Sequence, residues 1–307
     1  GSWESVQIRI QPDGSAIIYT GASPHGQGTV TTFAQIASEY LGIEYDKISV
    51  HHGDTATIPQ GIGTMGSRQV AVGGEGVKNA SLGIVEKAKS IAAHKLEANP
   101  EDIEVKDGSL FVKGSPSKSL SWAEVATFSF QRLELPEDMD PGSLDTTILQ
   151  EVPNFSFPSG AYACVIEIDK HTGDTRVRDI YLVDDCGTVI NPLLAEGQVH
   201  GGVAQGIAQA LYEEFSYDEN GQPTTATFID YLMPGAPDLP SYISGRINTP
   251  NPNNSLGAKG IGESGSVGTP PAVMNAVVDA VRHLGVTHID MPATPQKLWE
   301  ILQGGSK

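Results

Sequence analysis

The sequence predicts an α+β fold made of two mixed α/β subdomains, over residues 1–145 and 146–307. Short runs in which apolar and polar residues alternate, paired around turns, predict β-hairpins. Longer runs with apolar residues at three- and four-residue spacing predict amphipathic helices between them. Neither pattern holds over residues 133–159, which contain several prolines and acids. We therefore place the subdomain boundary in that stretch.

The first predicted subdomain begins with a β-hairpin. Val6, Ile8 and Ile10 alternate with polar residues, and the strand 16–20 follows a Pro-Asp-Gly turn. A glycine-containing loop over residues 21–28 then leads into a helix that ends at Gly42. The remaining predicted elements are a strand at 48–50, a polar loop at 53–68, a helix at 70–96, a hairpin at 103–112 and a short helix at 122–128.

The second predicted subdomain has two strands within residues 162–183 and a helix over 194–211. One stripe of that helix carries Gln198, Gly202, Gln205 and Gln209. Each glycine in a helix costs about 1 kcal/mol relative to alanine, so we expect a close neighbour at Gly201, Gly202 and Gly206. Thr269 is expected to cap a further helix that starts at Pro270, and a last helix is predicted at 294–302.

Composition excludes several classes of function. The formal net charge of −18 disfavours nucleic acid and anionic membranes, since both reward clustered lysine and arginine. No run reaches the roughly 18 apolar residues of a membrane span. Two cysteines are too few for a disulfide scaffold, and the N-terminus lacks a basic-then-apolar signal pattern. We expect a cytoplasmic protein with neither a nucleic-acid partner nor a membrane span.

The most informative stretch is the loop 257–271, which holds five glycines and one carboxylate, Glu263. It contains Gly260-x-Gly262-x-x-Gly265, the spacing of a dinucleotide-binding fingerprint. That fingerprint follows an apolar strand, whereas residues 253–259 are polar and rich in small side chains. A carboxylate inside the loop would also repel a pyrophosphate. A nicotinamide-binding domain is therefore the least favoured of the functions that we consider.

Metal ligation by side chains and nucleophilic catalysis have little support in the sequence. The eight histidines are scattered, and neither cysteine has a partner at ligand spacing. No serine lies in a Gly-x-Ser-x-Gly elbow. Four polar, glycine- or glutamine-rich segments remain, at 26–28, 63–68, 198–209 and 257–268. Each is by itself consistent with a structural element, but together they favour binding of a large polar heterocycle with phosphate.

The ordered set of motifs resembles the molybdenum hydroxylase family of xanthine dehydrogenase, aldehyde oxidase and carbon monoxide dehydrogenase. The similarity covers nearly the whole chain and corresponds to the C-terminal part of the molybdopterin-binding large subunit. The Gly-Glu-Ser that contains Glu263, with a downstream Gly-Thr-Pro-Pro, looks closer to the bacterial carbon monoxide dehydrogenase-like members than to animal xanthine oxidases. The motifs are Gly26-Gln27-Gly28 with Thr31–Ile36, Gly63–Arg68, Ile190–Leu193 with Gly197–Val199, and Gly257–Ser264.

The resemblance implies a role for each matched position. Glu263 would be the catalytic base beside molybdenum in the oxidative hydroxylation of an electron-poor carbon, and no side chain of this chain would ligate the metal. The cofactor would be molybdopterin, in its cytosine dinucleotide form. Residues expected to contact it are Gln27, Gly28 and Gln198 at the pterin, Thr64, Ser67 and Arg68 at the pyrophosphate, with Lys259, Gly260 and Gly262 as further contacts.

The resemblance also implies partners. The N-terminal half of the molybdopterin subunit has no counterpart in this sequence, and neither do the family's iron–sulfur and FAD subunits. We therefore expect either a separated domain or one subunit of a naturally split enzyme, acting on a small-molecule substrate. The isolated chain is expected to be inactive and to bind little cofactor. The alternative is a non-catalytic cofactor-binding or assembly module of the same fold.

Overall fold

The computed structural model describes residues 3–58 and 60–304. The chain forms two compact units that are discontinuous in sequence. Unit 1 contains the chain up to Phe157 together with Thr188–Asn191 and Pro250–Gly260. Unit 2 contains Pro158–Gly187, Pro192–Thr249 and the chain from Ile261 onward. The division into domains at residues 145 and 146 stays a prediction.

Unit 1 is built on a four-stranded sheet of order β3-β2-β1-β7. The pairs β1–β2 and β1–β7 are antiparallel, and β2–β3 is parallel. A second sheet, of order β4-β5-β6, is antiparallel throughout. In chain order the elements are β1 (Trp3–Ile10), β2 (Ala16–Thr20), α1 (Thr29–Leu41), β3 (Ile48–His52), α2 (Glu75–Leu96), β4 (Ile103–Lys106), β5 (Ser109–Val112), β6 (Ser115–Ser121), α3 (Trp122–Ser129) and β7 (Asp145–Glu151).

The first hairpin is confirmed, and its alternating residues explain how unit 1 forms a core. Val6, Ile8 and Ile10 are buried, and they pack in one cluster with Phe33 of α1 and Ile84 of α2. Burial of a side chain of this size contributes about 1.5–3 kcal/mol. The helices α1 and α2 therefore cover the face of the sheet to which the sequence pattern assigns the apolar residues.

The predicted helix at 70–96 differs from expectation at its start. Residues Gln69–Gly74 form a π-helical turn before α2 begins at Glu75. A Cβ on Gly73 would lie 2.8 Å from Cζ of Phe33, so the missing side chain allows α1 to approach closely. π-Helical turns are frequent beside functional sites, and this one directly follows Arg68.

Unit 2 contains a three-stranded sheet of order β10-β9-β8, antiparallel between β8 and β9 and parallel between β9 and β10. Helices α4 and α5 pack against each other, and both contribute to one apolar cluster with β9. Ile180 and Leu182 of β9 are buried there. The elements are β8 (Ser159–Ile168), β9 (Thr175–Asp185), α4 (Pro192–Leu211), β10 (Tyr242–Ile247), α5 (Ser264–Val281) and α6 (Pro295–Leu302).

The start predicted for α5 is wrong. The helix begins at Ser264, with Glu263 at the N-cap, and not at Pro270. Pro270 and Pro271 lie inside it, although a proline in a helix interior removes a backbone hydrogen bond. Packing explains the longer helix, because Gly265 contacts α4 so closely that a Cβ on it would lie 2.4 Å from the Val199 carbonyl oxygen.

The close neighbour expected along α4 is α5 of the same unit. A Cβ on Gly202 would lie 2.8 Å from the Ser266 amide nitrogen, and one on Gly206 would lie 2.5 Å from Cβ of Thr269. Gly201 differs, since no atom lies within 4 Å of the position that its Cβ would take. Gly202 and Gly206 thus allow α4 and α5 to pack closely, whereas this packing does not explain Gly201.

The fold class predicted from the sequence is confirmed: mixed sheets carry packed helices in both units. Within residues 3–58 and 60–304, no helix combines the length and the apolar character needed to cross a membrane.

Candidate functional site

Two of the predicted cofactor loops meet at Ser23 in unit 1. The Ser23 carbonyl oxygen accepts hydrogen bonds from Gln27 Nε2 and from Thr64 Oγ1, both at 2.8 Å. The Thr64 amide donates to Ser23 Oγ at 3.1 Å, and the Ser23 amide donates to Thr64 Oγ1 at 3.1 Å. Gln27 and Thr64, which are 37 residues apart, are thereby held in one polar cluster.

Gly28 places the start of α1 beside this cluster. It takes a left-handed conformation with φ 78°, and no side chain caps the helix there. Thr29, the first helical residue, is buried, and its Oγ1 has no partner among the described residues. The first amides of a helix carry partial positive charge and suit an anionic group. The region around Gln27 and Gly28 therefore offers both amide donors and an unpaired hydroxyl.

Arg68 is almost fully buried and pairs with a carboxylate that the sequence analysis missed. Its Nη1 lies 2.7 Å from Oε2 of Glu4, whose side chain has no exposed surface. Nη1 also donates to the Gly63 carbonyl oxygen at 2.8 Å, and Nη2 donates to the Trp3 carbonyl oxygen. Only Nε lacks a partner among the described residues. Arg68 thus fixes its own loop to β1, and its contact with a pyrophosphate stays a prediction.

The sequence itself contains a signal for the burial of Glu4. It alternates in phase with Val6, Ile8 and Ile10, so the strand pattern places it on the core side of β1. A carboxylate at such a position requires a buried cation or several donors, because burying an unpaired charge is very costly. Arg68 is the arginine that meets this requirement.

Gly260 brings a third predicted loop against Ser67. A Cβ on Gly260 would lie 2.1 Å from the Ser67 carbonyl oxygen and 2.5 Å from its Cβ. Ser67 itself has a positive φ of 54°. A residue other than glycine at position 260 would therefore displace the 63–68 loop. Lys259, the neighbouring candidate, is partly buried in the same unit.

Glu75 anchors the segment that leads to Gly260, and sequence analysis also missed it. Its carboxylate accepts hydrogen bonds from the Ser255 hydroxyl at 2.6 Å and from the amides of Ser255 and Leu256 at 3.1 and 3.2 Å. The Asn254 side-chain amide donates a hydrogen bond to the Ala258 carbonyl oxygen, and the Ala258 backbone amide donates one to Asn254 Oδ1. The loop is thus fixed from α2, the helix that follows the 63–68 loop.

A small cavity of about 140 Å³ in unit 1 adjoins Arg68. Its polar lining residues come from three separate parts of the sequence. They are Arg68, Asn154, Ser156, Asn251 and Asn254. Since a water molecule takes about 30 Å³, this volume holds a few waters or one phosphate-sized group. Arg68 and the three asparagines give this cavity a lining that is polar in part, although the side-chain amides of Asn251 and Asn254 already donate to the Ala258 carbonyl oxygen.

Glu263 lies in unit 2 at the start of α5, and its side chain is exposed. Its carbonyl oxygen accepts hydrogen bonds from the Val267 amide at 2.9 Å and the Ser266 hydroxyl at 3.0 Å. Gln198 of α4 donates from Nε2 to the Gly262 carbonyl oxygen at 2.8 Å. Gln198 and Gly262 therefore fix the backbone that carries Glu263. The contacts predicted for Gln198 and Gly262 with a cofactor stay predictions.

The buried carboxylate of Asp184 binds the first residue of α5. Asp184 accepts hydrogen bonds from the Tyr162 hydroxyl, at 2.9 and 3.0 Å to its two oxygens, and from the side chain of Ser264. Burial raises the pKa of Asp184, and these two donors and the charge of Arg246 oppose that rise. The Tyr162 ring also packs against Gly268 of α5. Asp184 alternates in phase with Ile180 and Leu182, so the strand pattern places it on the buried side of β9, as it does Glu4 on β1.

Direct metal ligation and thiol chemistry find no arrangement to support them in the described residues. No three or more histidine, cysteine, aspartate or glutamate side chains cluster as a metal site within 3–58 and 60–304. Burial raises the pKa of the Cys164 thiol to about 11 and also raises that of Cys186. Thiols of that kind are largely protonated near neutral pH and are poor nucleophiles.

Comparison with known proteins gives a consistent result. A family model described as a molybdopterin cofactor-binding domain matches residues 1–240. The carbon monoxide dehydrogenase large chain of Hydrogenophaga pseudoflava is 43% identical over 303 residues, which is 99% of this chain and 37% of that protein. The nicotine 6-hydroxylase large subunit of Paenarthrobacter nicotinovorans is 37% identical over 302 residues, or 98% of this chain and 37% of that protein.

The solved structures agree with these relatives. A crystal structure of Cu,Mo-CO dehydrogenase in its carbon monoxide reduced state superposes with a TM-score of 0.90 at 40% identity. The match covers 99% of this chain and 38% of that one. The chain thus spans little more than a third of the length of the proteins that it matches.

Proposed function

Because the chain belongs to the molybdopterin cofactor-binding domain family, among the molybdenum hydroxylases, we propose that it is the part of a molybdenum-dependent oxidoreductase that carries the catalytic base. The observation that carries the proposal is Glu263, an exposed carboxylate fixed by its backbone at the start of α5. The reaction is the oxidative hydroxylation of a small molecule at an electron-poor carbon.

The residues of unit 1 fit a molybdopterin dinucleotide. Gln27 and the first amides of α1 supply donors for the polar edge of a pterin. Thr64, Ser67 and Arg68 would contact a pyrophosphate, and Arg68 lines the 140 Å³ cavity in this unit. Lys259 and Gly260 would be further contacts. In unit 2, Gly262 would be another contact and Gln198 would reach the pterin ring. We propose the cytosine dinucleotide form.

Glu263 would act as a general base. When bound, the molybdenum cofactor supplies the two-electron oxidation of the substrate carbon. The Glu263 carboxylate accepts the proton that this hydroxylation releases, and a positioned base of this kind contributes about 10²–10⁴-fold to a rate. Gln198 and Asp184 bind Gly262 and Ser264, the residues on either side of Glu263, and so support the backbone that carries the carboxylate.

The proposed enzyme is larger than this chain. Its relatives are named as large chains and large subunits, and the chain spans about 37% of their length. We propose that the remainder of the large subunit, corresponding to its N-terminal half, completes the cofactor site. Iron–sulfur and FAD subunits would carry the electrons away. The isolated chain is expected to be inactive.

Molybdenum and pterin analysis of the assembled enzyme tests the proposal. The wild-type complex should contain about one molybdenum and one pterin per copy of this chain. Gly260→Ala, which drives a Cβ into Ser67, should lower both contents severalfold. Gly235→Ala is the control, because Gly235 lies outside the motifs and a Cβ on it would lie 3.5 Å from Cδ of Pro237, an ordinary contact distance. A wild-type complex without molybdenum, or one that instead binds a nicotinamide dinucleotide saturably, contradicts the proposal.

A further inference from the structure

Unit 2 exposes an apolar patch on the segment between α4 and β10. Large apolar side chains there are mostly open to solvent, with Phe228 81% and Ile229 86% exposed. The six residues of this patch are Phe215, Tyr217, Phe228, Ile229, Leu232 and Met233. Single exposed apolar residues are ordinary, but a group of aromatic residues and methionine on one segment is typical of an interface.

The segment that carries the patch has a defined shape. The Phe215 ring contacts the rings of Tyr217 and Tyr231, with centroids 5.2 and 6.3 Å apart. Phe228 and Ile229 lie in a turn closed by the Tyr231 amide, which donates to the Thr227 carbonyl oxygen at 2.8 Å. Residues 212–241 otherwise hold an isolated bridge and one short 3₁₀ turn. A connection this long is uncommon in a compact domain and is usually functional.

The charge around the patch restricts what can cover it. Residues 213–245 contain six carboxylates and neither lysine nor arginine. A two-fold contact between copies of this chain would bring these carboxylates together, because such an interface joins the same surface on both copies. Like charges facing each other disfavour an interface. The partner should therefore present an apolar groove with a basic rim.

We propose that the patch is the docking surface for the part of the large subunit that this chain does not span. The relatives contain additional polypeptide, since the match covers only 37% of each, and the match spans 98–99% of this chain. This inference rests on the proposed function. It adds which face of unit 2 is covered and the chemistry of the covering surface.

Photo-crosslinking in the assembled enzyme tests the inference. The photoreactive residue p-benzoylphenylalanine replaces Phe228, a side chain of similar shape, and in a control it replaces Leu133, which is 94% exposed in unit 1. Irradiation should link position 228 to peptides of the large subunit outside the matched region, at least tenfold more efficiently than position 133. Products to a second copy of this chain, to another subunit, or no products at all would overturn it.

Methionine oxidation in the same complex gives an independent measurement. Met233 is 58% and Met291 44% exposed in this chain. If the patch is covered, peroxide should oxidise Met233 at least tenfold more slowly than Met291; equal rates contradict the inference. Both readouts are independent of molybdenum. A complex that lacks molybdenum but still protects Met233 from oxidation would contradict the proposed function and support the docking surface.

Discussion

The charged side chains of Arg68 in unit 1 and Glu263 in unit 2 lie in opposite environments, the first buried and the second exposed. Arg68 is buried, and its ion pair with Glu4 and bonds to two carbonyl oxygens occupy all of its guanidinium except Nε. Glu263 is exposed, and its backbone carbonyl oxygen accepts hydrogen bonds from the Val267 amide and the Ser266 hydroxyl. The first charge is compensated within the fold, whereas we propose that the second takes part in the reaction.

A charged residue in a glycine-rich loop can therefore be either internally paired or open to a ligand. Both residues belong to motifs of the same resemblance, and residue type alone assigns both to ligand contacts. Burial separates them, because a charge removed from water must be compensated within the protein. Four experiments can test this contrast between a buried and an exposed charge.

Glu263→Gln should reduce turnover of the assembled enzyme by about 10²–10⁴-fold, since the amide cannot accept the proton. Molybdenum content should stay unchanged, because the backbone contacts of Glu263 do not depend on its carboxylate. Steady-state kinetics with metal analysis measure both. Asp279→Asn, an exposed acid of the same helix, is the control. Undiminished turnover in the Glu263 variant would support the non-catalytic module.

Arg68→Met should lower the free energy of unfolding by about 3–5 kcal/mol, because it leaves Glu4 buried without its cation. Arg9→Met is the matched control, since the Arg9–Asp145 pair is partly exposed and such pairs contribute about 0–1 kcal/mol. Urea unfolding followed by circular dichroism measures the difference. Equal losses in the two variants would remove the structural role that we assign to Arg68.

Gly202→Ala should destabilise the chain by about 1–3 kcal/mol, because its Cβ would press against the first turn of α5. Gly201→Ala, one position earlier and facing open space, should stabilise it by up to about 1 kcal/mol. Thermal unfolding of the two variants tests whether α4 fixes the helix start that carries Glu263. A change in unfolding temperature in the same direction for both variants would show that α4 does not fix the start of α5.

Asp184→Asn should change how stability depends on pH. Burial raises the pKa of Asp184 above its ordinary value of 3.8, so the folded chain holds this proton more tightly than the unfolded chain. The contribution of Asp184 to stability is therefore largest below pH 3.8 and declines as the pH rises through the raised pKa. Asparagine lacks this titration. Unfolding measured from pH 3 to 8 should show a smaller decline in the variant, and parallel curves would contradict the assignment.

Elements with a strong local pattern were predictable from the sequence. The first hairpin, α1 and the strands β8 and β9 follow from periodicity and turn residues. The start of α5 was not predictable in this way, because Pro270 gives a local signal for a first helical turn that packing against Gly202 overrides. The approach of Ser67 to Gly260 was also inaccessible, since contact across 193 positions of sequence leaves no local periodicity.

The sequence by itself determined the fold class, the family resemblance and the identity of the loops, because each depends on residue order along short stretches. Only the tertiary structure shows which donors and cations bind the buried carboxylates. Glu4, Glu75 and Asp184 gain their roles from donors that lie far from them in sequence. Burial makes such partners obligatory, and burial is a property of the folded chain.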